Sequence, residues 1–370
     1  MEALPKNPLN ALNFSGGPGV LPESVLRQVQ ESIVAVPEVG LSILGISHRS
    51  DWFASVMAEL ETNVRTLLGL PADYHVLALQ GGATQQFSMV PMTLLHGREH
   101  PAEYLHTGYW SGKALPEARR EGPVRVLWSG EAERFGRLPG DDELAFAADA
   151  TYLHYVSNET VEGLQFNRVL GRDDVPRICD MSSDFLSRPG DYGRFSMIYA
   201  HAQKNLGPAG VTMVVVKDEL LAGARRDLPG FLDYRTHIDA HSIYNTPPVF
   251  AIYVVLLVTR WLRDEIGGLA AMDAINTQKA DLLYGALDDS DGFYLGHAAK
   301  ADRSKMNVAF NLRSRELEAE FLVAAGRVGF SGLNGHRSIG GLRASLYNGM
   351  EIASVEKLVD FMDQFRRSRS

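Results

Sequence analysis

The chain has 370 residues, 45% hydrophobic and 22% charged, the composition of a globular protein with one large domain and a smaller one. Its net charge of −9 lacks long like-charge runs, which argues against a nucleic-acid partner, and the single cysteine, Cys179, excludes an internal disulfide and fits a reducing compartment. The opening MEALPKNPLN has neither a basic stretch nor an apolar run behind it, so a cytoplasmic location is expected.

From about residue 22 to 300, short β-rich runs alternate with helical stretches. YHVLAL (74–79) predicts a strand, followed by a Gly-Gly turn and a helix over 84–95. AEYLHT (102–107) precedes a helix near 111–121, and VRVLWS (124–129) reads as the next strand. TYLHYVS (151–157), PRICDMS (176–182) and SMIYAH (196–201) are further strands, each ending in polar residues, and VTMVVV (211–216) is an apolar one. VFAIYVVLLVT (249–259) is too short to span a bilayer and reads as a buried helix, so no membrane is expected. Such alternation argues for an α/β protein with a mostly parallel sheet covered on both faces, its ligands beyond the carboxyl ends of the strands.

After the helix at 248–264 the texture changes. A helix over 267–287 leads to GFYLGH, then MNVAFNL (306–312), a helix at 315–327, a GHRSIGGLRASLY segment and a last helix at 351–367. These suit antiparallel strands with helices on one side. The expected division is a large domain over 14–264 and a small α+β domain over 265–370, with 1–13 packing near the latter. The closing FRRSRS reads as a solvated end.

Lys204 is oddly placed, after the small residues of YAHAQ and before a Gly-Pro-Ala-Gly turn and an apolar strand. A lysine buried there would have its pKa lowered by desolvation and become a usable amine, able to form a Schiff base with an aldehyde. Asp180, in ICDMSSDF, stands at a strand end among small residues; it is either a turn aspartate or a buried carboxylate needing a cation such as a protonated pyridine. In GGATQQF, Ala83 and Thr84 open a helix whose N-terminus could hold an anion, Thr84 capping it or offering its hydroxyl; a plain helix start is the alternative. Trp110, in HTGYWSGK, is either a stacking platform or a core residue, and Thr160, in SNETVEG, either a hydrogen-bonding hydroxyl or a turn residue. His48 and Arg49 in ISHRS, with His336, Arg337 and Arg343 in GHRSIGGLRASLYN, are arginine-containing motifs suited to dianions. Each arginine alone is more often a surface residue, Arg343 in its apolar context least so.

Together NFSGGPGVLP, ISHRS, GGATQQF, HTGYW, SNET, DMSSDFLSRP, AQKNLGPAG, IYNTPP and GHRSIGGLRASLYN, in this order, resemble the class V aminotransferases of the fold-type I pyridoxal phosphate group, and among them the phosphoserine aminotransferase family. The resemblance covers nearly the whole chain. It implies a large domain with a seven-stranded, mostly parallel sheet, pyridoxal 5'-phosphate as cofactor, no metal, and a homodimer whose active sites are built from both chains. Lys204 then matches the Schiff-base lysine, Gln203 a cofactor contact, Asp180 the partner of the pyridine nitrogen, Trp110 the stacking ring and Thr160 the donor to the ring hydroxyl. Ala83 and Thr84 match the phosphate-cradling turn, and Asn245 and Thr246 the pair that reaches the cofactor phosphate across the dimer interface. His48, Arg49, His336, Arg337 and Arg343 match the substrate-anion residues, Arg343 on the α-carboxylate.

The implied reaction exchanges an amino group between L-glutamate and 3-phosphohydroxypyruvate, giving O-phospho-L-serine and 2-oxoglutarate in serine biosynthesis. Whether 4-phosphohydroxy-L-threonine, the vitamin B6 pathway substrate of some relatives, is also used stays open here. There are departures from the pattern. Thr84 stands where some members carry Arg, Gly16 where some carry a substrate-contacting Ser, and His201 where a small residue is usual. The rival readings are an alanine–glyoxylate type of transaminase, a cysteine desulfurase using Cys179, and a cofactor-binding protein without catalysis.

Overall fold

The computed structural model describes residues 8–369. The strands in chain order are β1 (Tyr74–Gln80), β2 (Ala102–His106), β3 (Val124–Ser129), β4 (Leu153–Val156), the short pair β5 (Asn158–Glu159) and β6 (Leu164–Gln165), then β7 (Arg177–Asp180), β8 (Met197–His201) and β9 (Val211–Lys217). Later come β10 (Tyr294–Gly296), β11 (Asn307–Leu312) and β12 (Leu342–Ser345). The helices of the first half are α1 (Pro8–Ala11), α2 (Glu23–Val34), α3 (Asp51–Leu68), α4 (Ala83–Leu94), α5 (Tyr109–Glu121), α6 (Ala202–Asn205), α7 (Asp218–Ala222) and α8 (Tyr234–Asp239). They are followed by α9 (Val249–Arg260), α10 (Leu269–Asp288), α11 (Arg315–Arg327) and α12 (Ile352–Arg367).

The main sheet has the order β1-β9-β8-β7-β4-β2-β3. Its pairs are parallel except where β9 lies antiparallel to both β1 and β8. Side chains alternate across it, as the pleat demands. Leu77, Leu79, Tyr199, Val214 and Val216 pack on one face with Phe87 and Leu94 of α4 and Ala114 and Leu115 of α5. Val76, Ala78, Ile198, Ala200, Met213 and Val215 pack on the other with α3 and α9. Because both faces are covered, the central strands are near-continuous apolar runs, which is why VTMVVV looks as it does. Ala251 to Thr259 of α9 are all buried. The predicted helix at 248–264 is α-helical only to Arg260 and continues as a π-helical turn over Trp261–Glu265.

A second sheet, β10-β11-β12, is antiparallel throughout. Its core joins Phe310, Leu342 and Ala344 to Phe321 of α11 and to Leu358 and Met362 of α12. Phe14 enters this core, with its backbone amide donating to Ser331 O at 2.9 Å. Of the segment 1–13 read as packing here, residues 1–7 lie outside the described residues. The closing FRRSRS is not simply a solvated end, since Phe365 is buried against this core and α12 runs to Arg367.

A buried polar seam joins the two sheets. Asn205 of α6 accepts the Asn348 amide at 2.8 Å, Asn348 accepts Asn276 Nδ2 at 2.9 Å, and Lys279 Nζ donates to the Leu346 and Tyr347 carbonyls at 2.8 Å each. Lys279 is fully buried with no carboxylate partner among the described residues, and burial pushes its pKa down to about 7. The charged form is therefore disfavoured by folding. Its cost is complete below about pH 7 and fades as pH rises toward the unfolded value of 10.5. Relative to Lys279→Met, the native chain should gain stability on alkalinisation above pH 7, by up to about 1.4 kcal/mol per unit. Denaturant midpoints across that range test this; a pH-independent difference would contradict it.

Candidate active site

β2, β4, β7 and β8 are consecutive parallel neighbours, so their carboxyl ends open on one edge of the sheet. Trp110 follows β2 at the start of α5, Thr160 follows β4, Asp180 closes β7, and Lys204 follows β8 on α6. This is the edge at which such sheets collect ligands.

Lys204 is only 8% exposed. Its Nζ donates to Thr160 Oγ1 at 2.6 Å and lies 4.9 Å from the centre of the Trp110 ring. Burial brings its pKa down to about 8, against the pull of Asp180 upward, and Arg343 pushes in the same direction as burial. An amine with that pKa is substantially neutral at mildly alkaline pH, and so nucleophilic. Asp180 is buried, and its Oδ1 takes both the Ser182 amide (2.8 Å) and the Ser182 hydroxyl (2.6 Å). Burial raises its pKa, while Lys204 and Ser182 hold it back. Oδ2 has no hydrogen-bond donor among the described residues. The carboxylate forms no salt bridge among the described residues, and Lys204 is the cation that acts on it.

The first turn of α5, which carries Trp110, is held by two glutamates that sequence reasoning passed over. Glu159 accepts from the amides of Trp110 (3.1 Å) and Ser111 (3.0 Å), and Glu162 from the amide of Tyr109 (2.9 Å). Both side chains therefore satisfy free N–H groups in the first turn of α5, where the helix dipole favours negative charge. Burial raises both pKa values, that of Glu162 to about 8, the neighbouring Glu159 adding to its rise. The only sequence hint was two glutamates flanking Thr160 in SNETVEG, and it does not say which helix they reach.

Arg343, on β12, has no carboxylate within ion-pair distance among the described residues, and its Nε is buried without an acceptor. Its guanidinium lies against Gly16, where a Cβ would overlap it. Gly16→Ser should therefore displace the guanidinium while leaving the fold intact, raising KM for acidic substrates several-fold, by about 1 kcal/mol. Steady-state kinetics decide this; an unchanged KM would refute the coupling. His336 lies nearby, its ring 4.5 Å from that of Tyr109, which is itself 5.1 Å from the Trp110 ring. Burial lowers the His336 pKa, and Arg343 and Arg337 lower it further. Arg337 is exposed and has no carboxylate partner among the described residues.

The Gly-Gly turn is tied to β9 by Gly81 N donating to Gly210 O (3.1 Å) and Thr212 Oγ1 to Gly81 O (3.0 Å). Gly81, at φ +113°, makes the turn possible. Helix α4 begins at Ala83 with Gly82 as its cap, so the expected capping by Thr84 does not occur. Thr84 is the second helical residue, exposed, and its hydroxyl caps nothing. No side chain caps this first turn, and the Gln85 amide donates to the Gly82 carbonyl at 2.9 Å. Gln203 accepts the Gly19 amide through its carbonyl (2.8 Å), and its side chain rests near Gly17. Asn245 donates to Gln80 at 2.9 Å, and Thr246 is exposed. His48 and Arg49 sit in the turn before α3, and no described contact joins them to Lys204, Arg343 or His336. Cys179 is wholly buried within β7, its thiol pKa raised by burial, so it is no mobile nucleophile.

The profile of class-V aminotransferases matches residues 11–358. The chain belongs to this family. It is 46% identical over 365 residues to the phosphoserine aminotransferase of Rhodopirellula baltica, covering 98% of this chain and 97% of that one. The solved phosphoserine aminotransferase from Bacillus circulans subsp. alkalophilus superposes with a TM-score of 0.93 at 46% identity, covering 96% of this chain and 98% of the other. A PLP-bound phosphoserine aminotransferase from Trichomonas vaginalis superposes with a TM-score of 0.89 at 34% identity, over 95% and 99% of the two chains. The large sheet flanked by helices is thus the fold-type I architecture. Among the described residues no helix is long and apolar enough to cross a membrane.

Proposed function

We propose that this enzyme is a pyridoxal phosphate-dependent phosphoserine aminotransferase, reversibly converting L-glutamate and 3-phosphohydroxypyruvate to 2-oxoglutarate and O-phospho-L-serine. The observation that carries the reading is a buried amine, Lys204, between an aromatic ring, a hydroxyl, an unpaired carboxylate and an unpaired guanidinium. These residues suit the cofactor. Asp180 keeps Oδ2 without a hydrogen-bond donor among the described residues, and the Trp110 Nε1 is buried without an acceptor. When bound, pyridoxal phosphate supplies an aldehyde carbon for the amino group and a ring that accepts the electron pair left by the α-proton.

The chain's residues do the rest. Asp180 would keep the ring nitrogen protonated, Trp110 would lie against the ring, and Thr160 would bond its hydroxyl. Gln203 would contact the cofactor, and Ala83 and Thr84 would cradle its phosphate. Lys204 would take the α-proton as a base and return it, as an acid, to the cofactor's aldehyde carbon across the nitrogen being transferred. Arg343 binds the α-carboxylate shared by both substrates. His336 and Arg337, with His48 and Arg49, take either the side-chain carboxylate of glutamate or the phosphate of the oxo acid, which lets one pocket serve both half-reactions.

The domain division at 14–264 and 265–370 belongs to the same reading. So do a cytoplasmic location and a homodimer in which Asn245 and Thr246, exposed or half-exposed here, complete the cofactor-phosphate site of a second copy. The bare apolar side chains of Val34 (81% exposed) and Leu44 (68%) support such an interface. A sedimentation mass of a single chain would contradict it.

The deciding experiment compares glutamate-dependent amination of 3-phosphohydroxypyruvate with that of its unphosphorylated analogue. The phosphorylated acid should be preferred by roughly 100-fold or more in kcat/KM, the equivalent of one well-paired anion. Equal constants would point instead to the alanine–glyoxylate type.

A further inference from the structure

His201 ends β8, half-buried, and its ring lies against the turn that opens α4. A Cβ on Gly82 would stand 3.7 Å from its Cε1 and 3.8 Å from its Nδ1. Its Nε2 lies 3.3 Å from the Gly210 amide, which donates to it. That bond settles the tautomer, because a nitrogen that accepts carries no proton, and the neutral ring must hold its hydrogen on Nδ1. Burial lowers the pKa to about 4, and the neighbouring Lys204 amine pushes the same way, so the ring is neutral throughout the working pH range. The main chain fixes the ring as well. The His201 amide donates to Ser182 Oγ at 3.1 Å, and that hydroxyl donates to Asp180. Nδ1–H has no acceptor among the described residues, and Nδ1 lies 3.8 Å from where a Cβ would stand on Gly82, the residue before α4, whose first turn no side chain caps.

We propose that His201 is a cofactor-positioning residue, its Nδ1–H donating to the phosphate of pyridoxal phosphate at the start of α4. The proposal rests on the cofactor reading above and adds to it a donor of this chain's own. Within the turn itself, the phosphate meets backbone amides and the Thr84 hydroxyl but no charged side chain. A neutral imidazole donor fits this place better than a second cation would, because Lys204 already occupies the cleft. The two departures at positions 84 and 201 are then complementary, with the histidine supplying from β8 a bond that the first turn of α4 lacks.

The test is titration of the apoenzyme with pyridoxal phosphate and, separately, with pyridoxal, followed by intrinsic tryptophan fluorescence. His201→Ala should weaken the phosphorylated form about tenfold, the size of one hydrogen bond to a charged group, and change pyridoxal binding less than about twofold. His201→Asn, whose amide nitrogen stands where Nδ1 stood, should keep most of the discrimination although its Gly210 contact is lost. An unchanged ratio of the two affinities in His201→Ala would overturn the proposal. So would a parallel loss of both, which is what a purely structural role predicts, or an Asn variant that behaves like Ala. Should the unaltered enzyme itself fail to prefer the phosphorylated form, the cofactor-site reading falls first and this assignment with it.

Discussion

Lys204→Ala is expected to abolish transamination, by roughly 10⁴-fold or more, since it removes both the attachment point and the proton carrier. Lys279 cannot stand in for Lys204, being sealed in the seam between the sheets, and the Lys113 amine lies over the Tyr109 ring, 5.6 Å from its centre. The variant should still fold, for the amine it loses is one that burial disfavours in charged form. Circular dichroism and single-turnover assays separate the two effects. Normal rates in the variant would remove the central assignment. A related expectation concerns pH. In the native apoenzyme only the neutral amine attacks an aldehyde, so the rate of pyridoxal capture should climb with pH and level off above about 8, the value to which burial brings this lysine. A plateau near pH 10 would mean an amine exposed to water.

Arg343→Ala should cost about 2–5 kcal/mol in kcat/KM for both glutamate and the phosphorylated oxo acid, because each presents an α-carboxylate to a site left without a counter-ion. The loss should be similar for the two substrates. A loss confined to one of them would move Arg343 to the distal anion and leave the α-carboxylate to another group. Stability should change little, since the guanidinium has no carboxylate partner among the described residues and sits over the open backbone of Gly16. Arg343→Lys should recover only part of the loss, because an ammonium cannot reproduce a planar two-pronged bond.

Much of this was legible in the chain alone. The strand VRVLWS and the helix at 315–327 occur at the predicted positions, and most other elements differ by one to three residues at an end. Such agreement is expected where both faces of a strand are covered and apolar runs become continuous. The reading failed where a local pattern was ambiguous. Thr84 looked like a cap, but Gly82 takes that place because its extended backbone starts the helix one residue earlier. The π-helical turn at Trp261–Glu265 left no mark in periodicity that a short window could resolve. Glu159 and Glu162 drew no reading at all, because the helix amides they satisfy, at Tyr109 to Ser111, belong to a distant stretch of sequence.

The sequence by itself determined the alternation of strands and helices, the awkward setting of Lys204 and the order of motifs that marks the family, since each is written in neighbouring residues. The tertiary structure alone decided that Trp110, Thr160, Asp180 and Lys204 meet at one edge, that Arg343 arrives there without a carboxylate partner among the described residues, and that the His201 ring lies against the turn before α4. The physical reason is that burial and charge pairing depend on what approaches through space. An amine's pKa, a carboxylate's need for a cation and a ring's tautomer are set by partners that strand order, not chain order, brings together.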